Sequence, residues 1–397
     1  MSNQFLHGVE VLEVDDGIRP IRAINNSIIG IIGTAPNADG AKYPINTPIL
    51  IDGPRKAATL GAGGTLKDAY DAIYTQGASV AVIIRVDVGA SSGATQSNVI
   101  GSASNATGVF AFEAAASKLD LTPRILIAPG FTTNTAADKT TVNPVTSNLM
   151  TVAEKLRAIV IADGPNTNEA DAKTDRKNFG SDRLFMVDPS VSVFDTKTKA
   201  YMTRPASAYV AGLIAKRDVE RGFWWSPSNQ IINGISATAR PISFNLSSRA
   251  NEDNRLNEAE VATIIRQNGF RLWGNRTTAS DPLWAFLSVR RTADVVNASI
   301  ERAHLWAMDR PMSAQLFKDI RDSVQFFGQG LVNQGALLGF ECWMDKELNT
   351  KDTLKAGKLY LDYKLEPPAP LEHLIFRARR EGDYYNDLIE QVGANSN

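Results

Sequence analysis

Short, unbroken apolar runs recur through the first 190 residues: 28–33 (IIGIIG), 80–86 (VAVIIRV), 124–128 (RILIA), 158–162 (AIVIA) and 183–187 (RLFMV). Runs of this length without polar alternation suit strands covered on both faces. Between them lie stretches that read as helices: 65–76, 147–157, 169–178 and 205–217. The last opens at Pro205 and places Tyr209, Val210, Leu213 and Ile214 on one side, as an amphipathic helix does. Strands alternating with helices predict a mostly parallel, doubly wound α/β sheet. Two polar segments, 89–108 and 130–148, are rich in small and turn-forming residues and read as long surface loops.

Beyond about residue 246 the pattern changes to α+β. Residues 292–307 carry Val296, Ile300, Ala303 and Ala307 on one stripe, and 313–327 carry Leu316, Ile320, Val324 and Phe327 on another. Strand patterns follow at 336–344 and 357–365. In the second, Leu359, Leu361, Tyr363 and Leu365 alternate with Lys358, Tyr360, Asp362 and Lys364. Each end of the chain adds one more strand-like piece. Val9 and Val11 alternate with Glu10 and Leu12 ahead of the turn Asp15-Asp16-Gly17 and then Arg19-Pro20. At the other end, the stiff Pro367-Pro368-Ala369-Pro370 precedes a strand candidate at 371–380 and a short helix at 384–392. A strand without a partner is a template for pairing with another chain. The expected organisation is an N-terminal arm (1–22), a doubly wound α/β domain (23–245), an α+β domain (246–365) and a C-terminal arm (366–397). Val9, Val11, Leu12, Leu374 and Phe376 are the expected pairing residues of the arms.

Composition narrows the function. The 397 residues, 43 % hydrophobic and 21 % charged, suit two or three folded domains. A single cysteine, Cys342, excludes an intrachain disulfide framework and a Cys₄ metal site. The net charge of −1 argues against a nucleic-acid binder. The start, MSNQFLHGVEV, lacks the basic and apolar regions of an export signal, and no apolar run approaches the ~18 residues of a membrane helix. The expectation is folding in a cytosol without membrane insertion.

The catalytic inventory is thin. His7, His304 and His373 are the only histidines; the first and last fall in the arms, and His304 beside Trp306 reads as a packing residue. No His-Glu-x-x-His, Cys-x-x-Cys or calcium-loop spacing occurs. Gly61-Ala62-Gly63-Gly64-Thr65 precedes a helix but misses the dinucleotide register at Leu66, and no Walker lysine follows. Cys342 lies mid-strand, where a buried thiol is the default. No cofactor or metal is expected.

Arginine usage carries more information. From Arg217 to Arg310 there are twelve arginines and no lysine. Guanidinium groups are weakly hydrated and grip carboxylates with two prongs, so they suit partly dry interfaces. Neighbouring Phe270, Trp273, Trp284, Phe286 and Trp306 add anchors of the kind enriched at interfaces. Arg271, Arg276, Arg290 and Arg291 are therefore candidate interface residues, with intramolecular ion pairing as the alternative. Interleaved Glu258, Glu260, Asp281, Asp294 and Glu301 speak against nucleic acid.

Several stretches, spread from end to end, carry a family resemblance: His7-Gly8-Val9, Pro123-Arg124-Ile125-Leu126, Asn178-Phe179, Leu256-Asn257-Glu258, the run Gly269–Thr277 (GFRLWGNRT), Asp281-Pro282-Leu283 and Leu354–Tyr363 (LKAGKLYLDY). In their order and coverage the chain resembles the contractile tail sheath proteins of temperate enterobacterial myophages and R-type pyocins. The resemblance implies a structural protein rather than an enzyme. It implies an inner C-terminal domain facing a rigid tail tube, an outer α/β domain, and arms that add strands to neighbouring subunits. Hexameric rings would stack helically in a metastable state and contract when triggered at the baseplate. No nucleotide would be consumed; the drive would be the difference between two packings. Implied partners are further copies of the chain, the tube, the baseplate and the tail terminator. A charged helix touches the tube in this family, and 313–327 is the candidate, through Lys318 and Arg321, with Asp319 and Asp322 on the same helix. The location implied is a virion tail or extracellular contractile particle assembled in the bacterial cytoplasm. The rival readings are a soluble α/β enzyme or ligand-binding protein, and a static tube or shell component. Two large domains with long arms fit the latter poorly.

Overall fold

All six residues of Ile29–Thr34 are buried, as an unbroken apolar run requires when helices cover both faces of a sheet. The structure, a computed structural model, describes residues 20–196 and 198–394. Among them the strands are β1 (Ile29–Thr34), β2 (Pro48–Ile51), β3 (Ala81–Val86), β4 (Ile125–Ile127), β5 (Ile159–Asp163), β6 (Leu184–Val187), β7 (Val191–Asp195), β8 (Ala200–Arg204), β9 (Ala237–Thr238), β10 (Val261–Arg266), β11 (Phe270–Trp273), β12 (Gly339–Met344) and β13 (Leu361–Glu366). The helices are α1 (Pro54–Ala58), α2 (Leu66–Thr75), α3 (Ser92–Ile100), α4 (Ala115–Leu119), α5 (Pro144–Leu156), α6 (Glu169–Arg176), α7 (Ala206–Glu220), α8 (Glu252–Glu258), α9 (Leu287–Ala303), α10 (Ala314–Asn333), α11 (Lys351–Lys355) and α12 (Tyr384–Ala394).

Eight strands form one sheet in the order β11-β10-β6-β5-β4-β1-β3-β2. The six inner strands run parallel, and antiparallel β11 and β2 close the edges. Alternate residues of β1 serve opposite cores: Ile29 and Ile31 join the layer of α2 and α7, while Ile32 joins the layer containing Phe110, Phe112, Leu149 and Val152. The close approach of α2 and α7 depends on Gly212. A Cβ there would lie 2.8 Å from both the Cα and the carbonyl oxygen of Ile73. Backbone cannot rotate away as a side-chain tip can. Gly212→Val is therefore expected to cost about 1–3 kcal/mol, read as a lower urea midpoint at unchanged slope. A midpoint equal to the parent's would show that the two helices separate freely.

The division expected at 245/246 is corrected by the sheet. β10 and β11 lie beyond it, yet they complete the α/β sheet: Val261 and Ala262 pair with Met186 and Val187 of β6. Val261–Ile265 is another fully buried run, hidden in sequence because 73 residues separate it from β6 and arginines surround it. The two expected surface loops are also corrected. Residues 92–100 form α3, capped by the Ser91 hydroxyl, which accepts from the Ala94 amide, with Val99 buried. Pro144 starts α5 behind its Asn143 cap, and Thr132, Asn134, Lys139 and Asn143 are all buried. Small polar residues conceal both elements because their burial is satisfied by hydrogen bonds, not by apolar periodicity.

Past the sheet, α9 and α10 pack with the antiparallel pair β12–β13 around Val296, Val324, Phe327, Leu331, Phe340 and Cys342. The alternation expected at 357–365 appears as Leu361, Tyr363 and Leu365 turned onto this core.

Candidate assembly surfaces

The arginines on α9 are intramolecular. Arg291 grips Asp218 at the end of α7 with two prongs, 2.7 and 2.5 Å, and donates to the Asn26 carbonyl at 3.0 Å. The two side chains are 3 % and 6 % exposed. Asp294 accepts two bonds from Arg183, 2.7 and 3.1 Å, and one from Arg290, 3.0 Å. Arg290 also meets Asp182 and lies 4.5 Å above the Trp284 ring. Burial works against the Arg183 charge, yet hydrogen bonds and attraction from Asp294 and Glu154 raise its pKa. These pairs clamp α9 to the α/β body. The expectation that Arg290 and Arg291 face a neighbouring subunit is corrected, since both guanidinium groups close on carboxylates of their own subunit and are largely buried. The sequence signal that was missed is Asp294 within a helix whose neighbours Ala293, Val295 and Val296 are buried. A lone carboxylate there demands a buried cation.

His304 is the packing residue expected: its Nδ1 is 2.6 Å from the Ile300 carbonyl and its Nε2 3.3 Å from Ser323 Oγ, tying α9 to α10. Burial pushes the Cys342 thiol up to about 11, which suppresses its thiolate.

The sheet β12–β13 has one dry face and one wet face. Phe340 and Cys342 point into the core, while Glu341 and Lys364, directly opposite each other, form an exposed pair at 2.6 Å. A two-stranded ribbon is marginal alone; this one leans on α10, where Gln325 Oε1 accepts from the Cys342 amide at 2.8 Å, and among the described residues no third strand pairs with it. Directly after it, the chain stops pairing. Among the described residues, 367–380 make no backbone hydrogen bond with the rest of the chain. Leu371, Leu374, Ile375 and Phe376 are 77, 59, 67 and 86 % exposed. As alternate residues, Leu374 and Phe376 would share one face of a strand. The strand candidate at 371–380 is thus exposed and, among the described residues, without a backbone pairing partner. Its side-chain tether is Glu372, which accepts from Arg276 at 2.8 and 2.6 Å while Arg276 also covers the Phe286 ring at 4.7 Å. Val9, Val11, Leu12 and His7 lie outside the described residues.

On α10, Lys318 is exposed and, among the described residues, forms no ion pair. Arg321 closes on Asp322 at 2.5 Å, and Asp319 accepts from Gln315. Arg271 remains on the surface, donating to the backbone carbonyls of Gln267 and Asn229.

The crevice where a doubly wound sheet binds ligands, beside the carboxyl end of β1 where strand order reverses, holds the chain's own glycine-rich turn. The Thr65 amide donates to the Thr34 carbonyl at 2.9 Å, the Thr34 amide to Thr65 Oγ1 at 3.2 Å, and Asn37 Nδ2 to the Ala62 carbonyl at 2.6 Å. Gly64, at φ 76°, lies so close to the Thr34 carbonyl that no side chain fits. The turn's own Thr65 amide and Gly64 backbone are thus packed against the end of β1.

Comparison with known proteins agrees with this architecture. Residues 101–278 match the phage tail sheath protein central domain, and residues 279–380 the phage tail sheath C-terminal domain. A putative prophage major tail sheath protein of Pseudomonas aeruginosa strain UCBPP-PA14 is 40 % identical over 391 residues, covering 97 % of this chain and 99 % of that protein. The tail sheath protein of Escherichia phage P2 is 36 % identical over 405 residues, covering 99 % and 100 %. The fold is shared with the contracted helical sheath of the anti-feeding prophage (TM-score 0.71, 19 % identity, 95 % and 100 % covered). It is also shared with the contracted PVC sheath of an extracellular contractile injection system (TM-score 0.69, 17 % identity, 97 % and 100 % covered). An eight-stranded α/β body, a smaller open-edged domain and full-length similarity to sheath proteins together establish that the chain belongs to the contractile tail sheath protein family, as a structural subunit and not an enzyme.

Proposed function

We propose that copies of this chain form hexameric rings, stacked helically around a tail tube, whose contraction drives the tube through a target envelope. In this reading the α/β body lies outside, and α9, α10 and β12–β13 form the inner layer facing the tube. Segment 371–380 of one copy, and the segment of Val9, Val11 and Leu12 of another, extend the open β12–β13 ribbon of a neighbour. The supporting observation is that one chain carries both an exposed apolar segment at 371–380 and a two-stranded sheet that no third described strand completes. Backbone ladders between subunits persist while the subunits pivot on the Pro367–Pro370 tether. Polar contacts at rims, worth only about 0–1 kcal/mol each, exchange. That combination lets two lattices stay close in energy and interconvert without dissociating. The tail terminator and baseplate would bind the two ends of the stack, and assembly would occur in the bacterial cytoplasm before release in a virion tail or extracellular particle.

Negative-stain microscopy of the purified chain tests the reading. Ring stacks or hollow cylinders are expected; a monomer at high concentration, indifferent to salt, would overturn it. For the tube side, Lys318→Glu with Arg321→Glu is expected to impair assembly around the tube more than self-assembly, Lys318 contributing most because Arg321 is engaged with Asp322. Equal loss in both assays would remove α10 from the tube contact.

A further inference from the structure

The two edges of the β12–β13 ribbon are not equivalent. In an antiparallel pair, backbone groups point alternately toward the partner strand and away from it. The Cys342 amide donates to Gln325 Oε1 of α10 at 2.8 Å, so Cys342 points outward and that part of the β12 edge is occupied. Its register partner is Tyr363, so the outward backbone groups of β13 belong to Leu361, Tyr363 and Leu365. Among the described residues, no hydrogen bond from outside the ribbon reaches the backbone of these three. Their side chains lie on the dry face of the ribbon, and the wet face of β13 carries Asp362, Lys364 and Glu366. Asp362 lies within hydrogen-bond reach of Asp345, the residue that follows β12; burial, then the bond to Asp345 and its charge, raise the Asp362 pKa. Among the described residues, no cation pairs with either carboxylate. Two half-buried carboxylates side by side at an open strand edge call for a cation from elsewhere.

Segment 371–380 supplies one. Arg377, Arg379 and Arg380 are exposed and, among the described residues, form no ion pair. As a strand, the segment would place Leu374, Phe376 and Ala378 on one face and His373, Ile375 and Arg377 on the other. Laid antiparallel on β13 with the apolar set on the dry face, a strand in which Arg377 meets Asp362 also sets Ile375 against Lys364 and His373 against Glu366. On the dry face, Phe376 then meets Tyr363, Leu374 meets Leu365 and Ala378 meets Leu361. A slip of two residues one way puts Glu372 against Leu365 on the dry face. A slip the other way opposes Arg377 to Lys364 and buries Arg380. A slip of one residue exchanges the two faces. Parallel pairings with the apolar set inward either bring Glu372 onto the dry face or oppose an arginine to Lys364. The Arg377–Asp362 register avoids both faults. Within its own subunit the segment is tied at Glu372 to Arg276 and makes no backbone ladder among the described residues, which leaves the β13 of a second copy as its acceptor.

We propose that residues 373–378 of one copy pair antiparallel with β13 of a neighbouring copy, in the register that sets Arg377 against Asp362 and Phe376 against Tyr363. This rests on the strand-donation reading and adds to it an edge, a direction and a selecting charge pair. Full-length variants test it. Arg377→Asp is expected to raise the protein concentration needed for cylinders about tenfold, and Asp362→Arg to do the same. The two substitutions together should restore the parental value. In this register Asp362 and Arg377 form a non-hydrogen-bonded pair with Cα atoms about 4.5 Å apart, a separation that a disulfide spans. Oxidised cylinders of Asp362→Cys with Arg377→Cys should therefore yield covalent ladders of the chain, against a background whose single native thiol, Cys342, is buried. Glu366→Cys with His373→Cys, at two exposed positions, should give the same ladders even where the Asp362 change impairs folding. Asp362→Cys with Arg379→Cys, diagonal neighbours about 7–8 Å apart, should not. Parental assembly by both single charge variants, ladders from the Arg379 pair in place of the Arg377 pair, or no ladder from either in-register pair overturns the proposal. A disulfide closed within one chain overturns it as well, since the segment would then complete its own ribbon. If the register fails while a chain ending at Pro370 still forms no cylinders, strand donation stands and the edge and register alone fall. Cylinders formed by the shortened chain overturn both.

Discussion

A chain ending at Pro370 is expected to fold as the parent does and to form no cylinders at any concentration. Glu366 still pairs with Gly339 and Pro367 is still buried, so the cut at 370 leaves the β12–β13 ladder whole. What the body loses is one half-exposed ion pair, Arg276 with Glu372, at side-chain exposures of 34 and 40 %. Such pairs contribute about 0–1 kcal/mol, so the urea midpoint should barely move. What the assembly loses is the row Leu374 and Phe376 together with the backbone groups that would ladder onto a neighbour. Leu374→Asp with Phe376→Asp should reproduce the defect by placing two charges on the pairing face. Unchanged cylinders from either variant would refute strand donation through the C-terminal arm.

The second large effect is expected at the clamp of α9. Asp218→Ala should lower the unfolding free energy by about 3–5 kcal/mol, because it leaves the Arg291 charge buried without its counter-ion. Arg291→Met should be similarly costly from the other side. Asp218→Leu combined with Arg291→Met should recover most of the loss, since replacing a buried pair by apolar groups of like volume is often neutral. Urea denaturation of all three variants measures this. A loss below about 1 kcal/mol for either single variant would show that water reaches the pair and screens it. The clamp also matters mechanically. On the proposed strand-donation reading the arms pivot while α9 carries force between the ribbon and the α/β body, and dry two-pronged pairs resist sliding better than apolar contacts do.

Much of the architecture was legible from periodicity. β1, β3, β4, β5 and β6 fall on the apolar runs, and α2, α5, α6, α7 and α10 overlap the expected helices. In each case apolar burial dictates both the pattern and the element. Where burial is satisfied by hydrogen bonds, the pattern is silent. α3 and the loop before α5 are assembled from Ser91, Asn134 and Asn143, whose composition resembles that of exposed turns. The arginines misled for a related reason. A guanidinium in a buried clamp and one on the surface are the same letter, and only the position of Asp218 and Asp294 separates Arg291 and Arg290 from Arg271.

From its order of residues alone, this protein was determined to be a doubly wound α/β chain with a second helix–ribbon unit, strand-like ends and little catalytic chemistry, because hydrophobic periodicity and residue inventory are local properties. Tertiary structure alone decided that β10 and β11 close the first sheet, that the glycine-rich turn packs against the end of β1, and that some arginines are clamps while others, such as Arg271, stay on the surface. Those outcomes depend on which distant side chains meet, as when Arg291 finds Asp218 73 residues away, and no spacing along the chain encodes such a meeting.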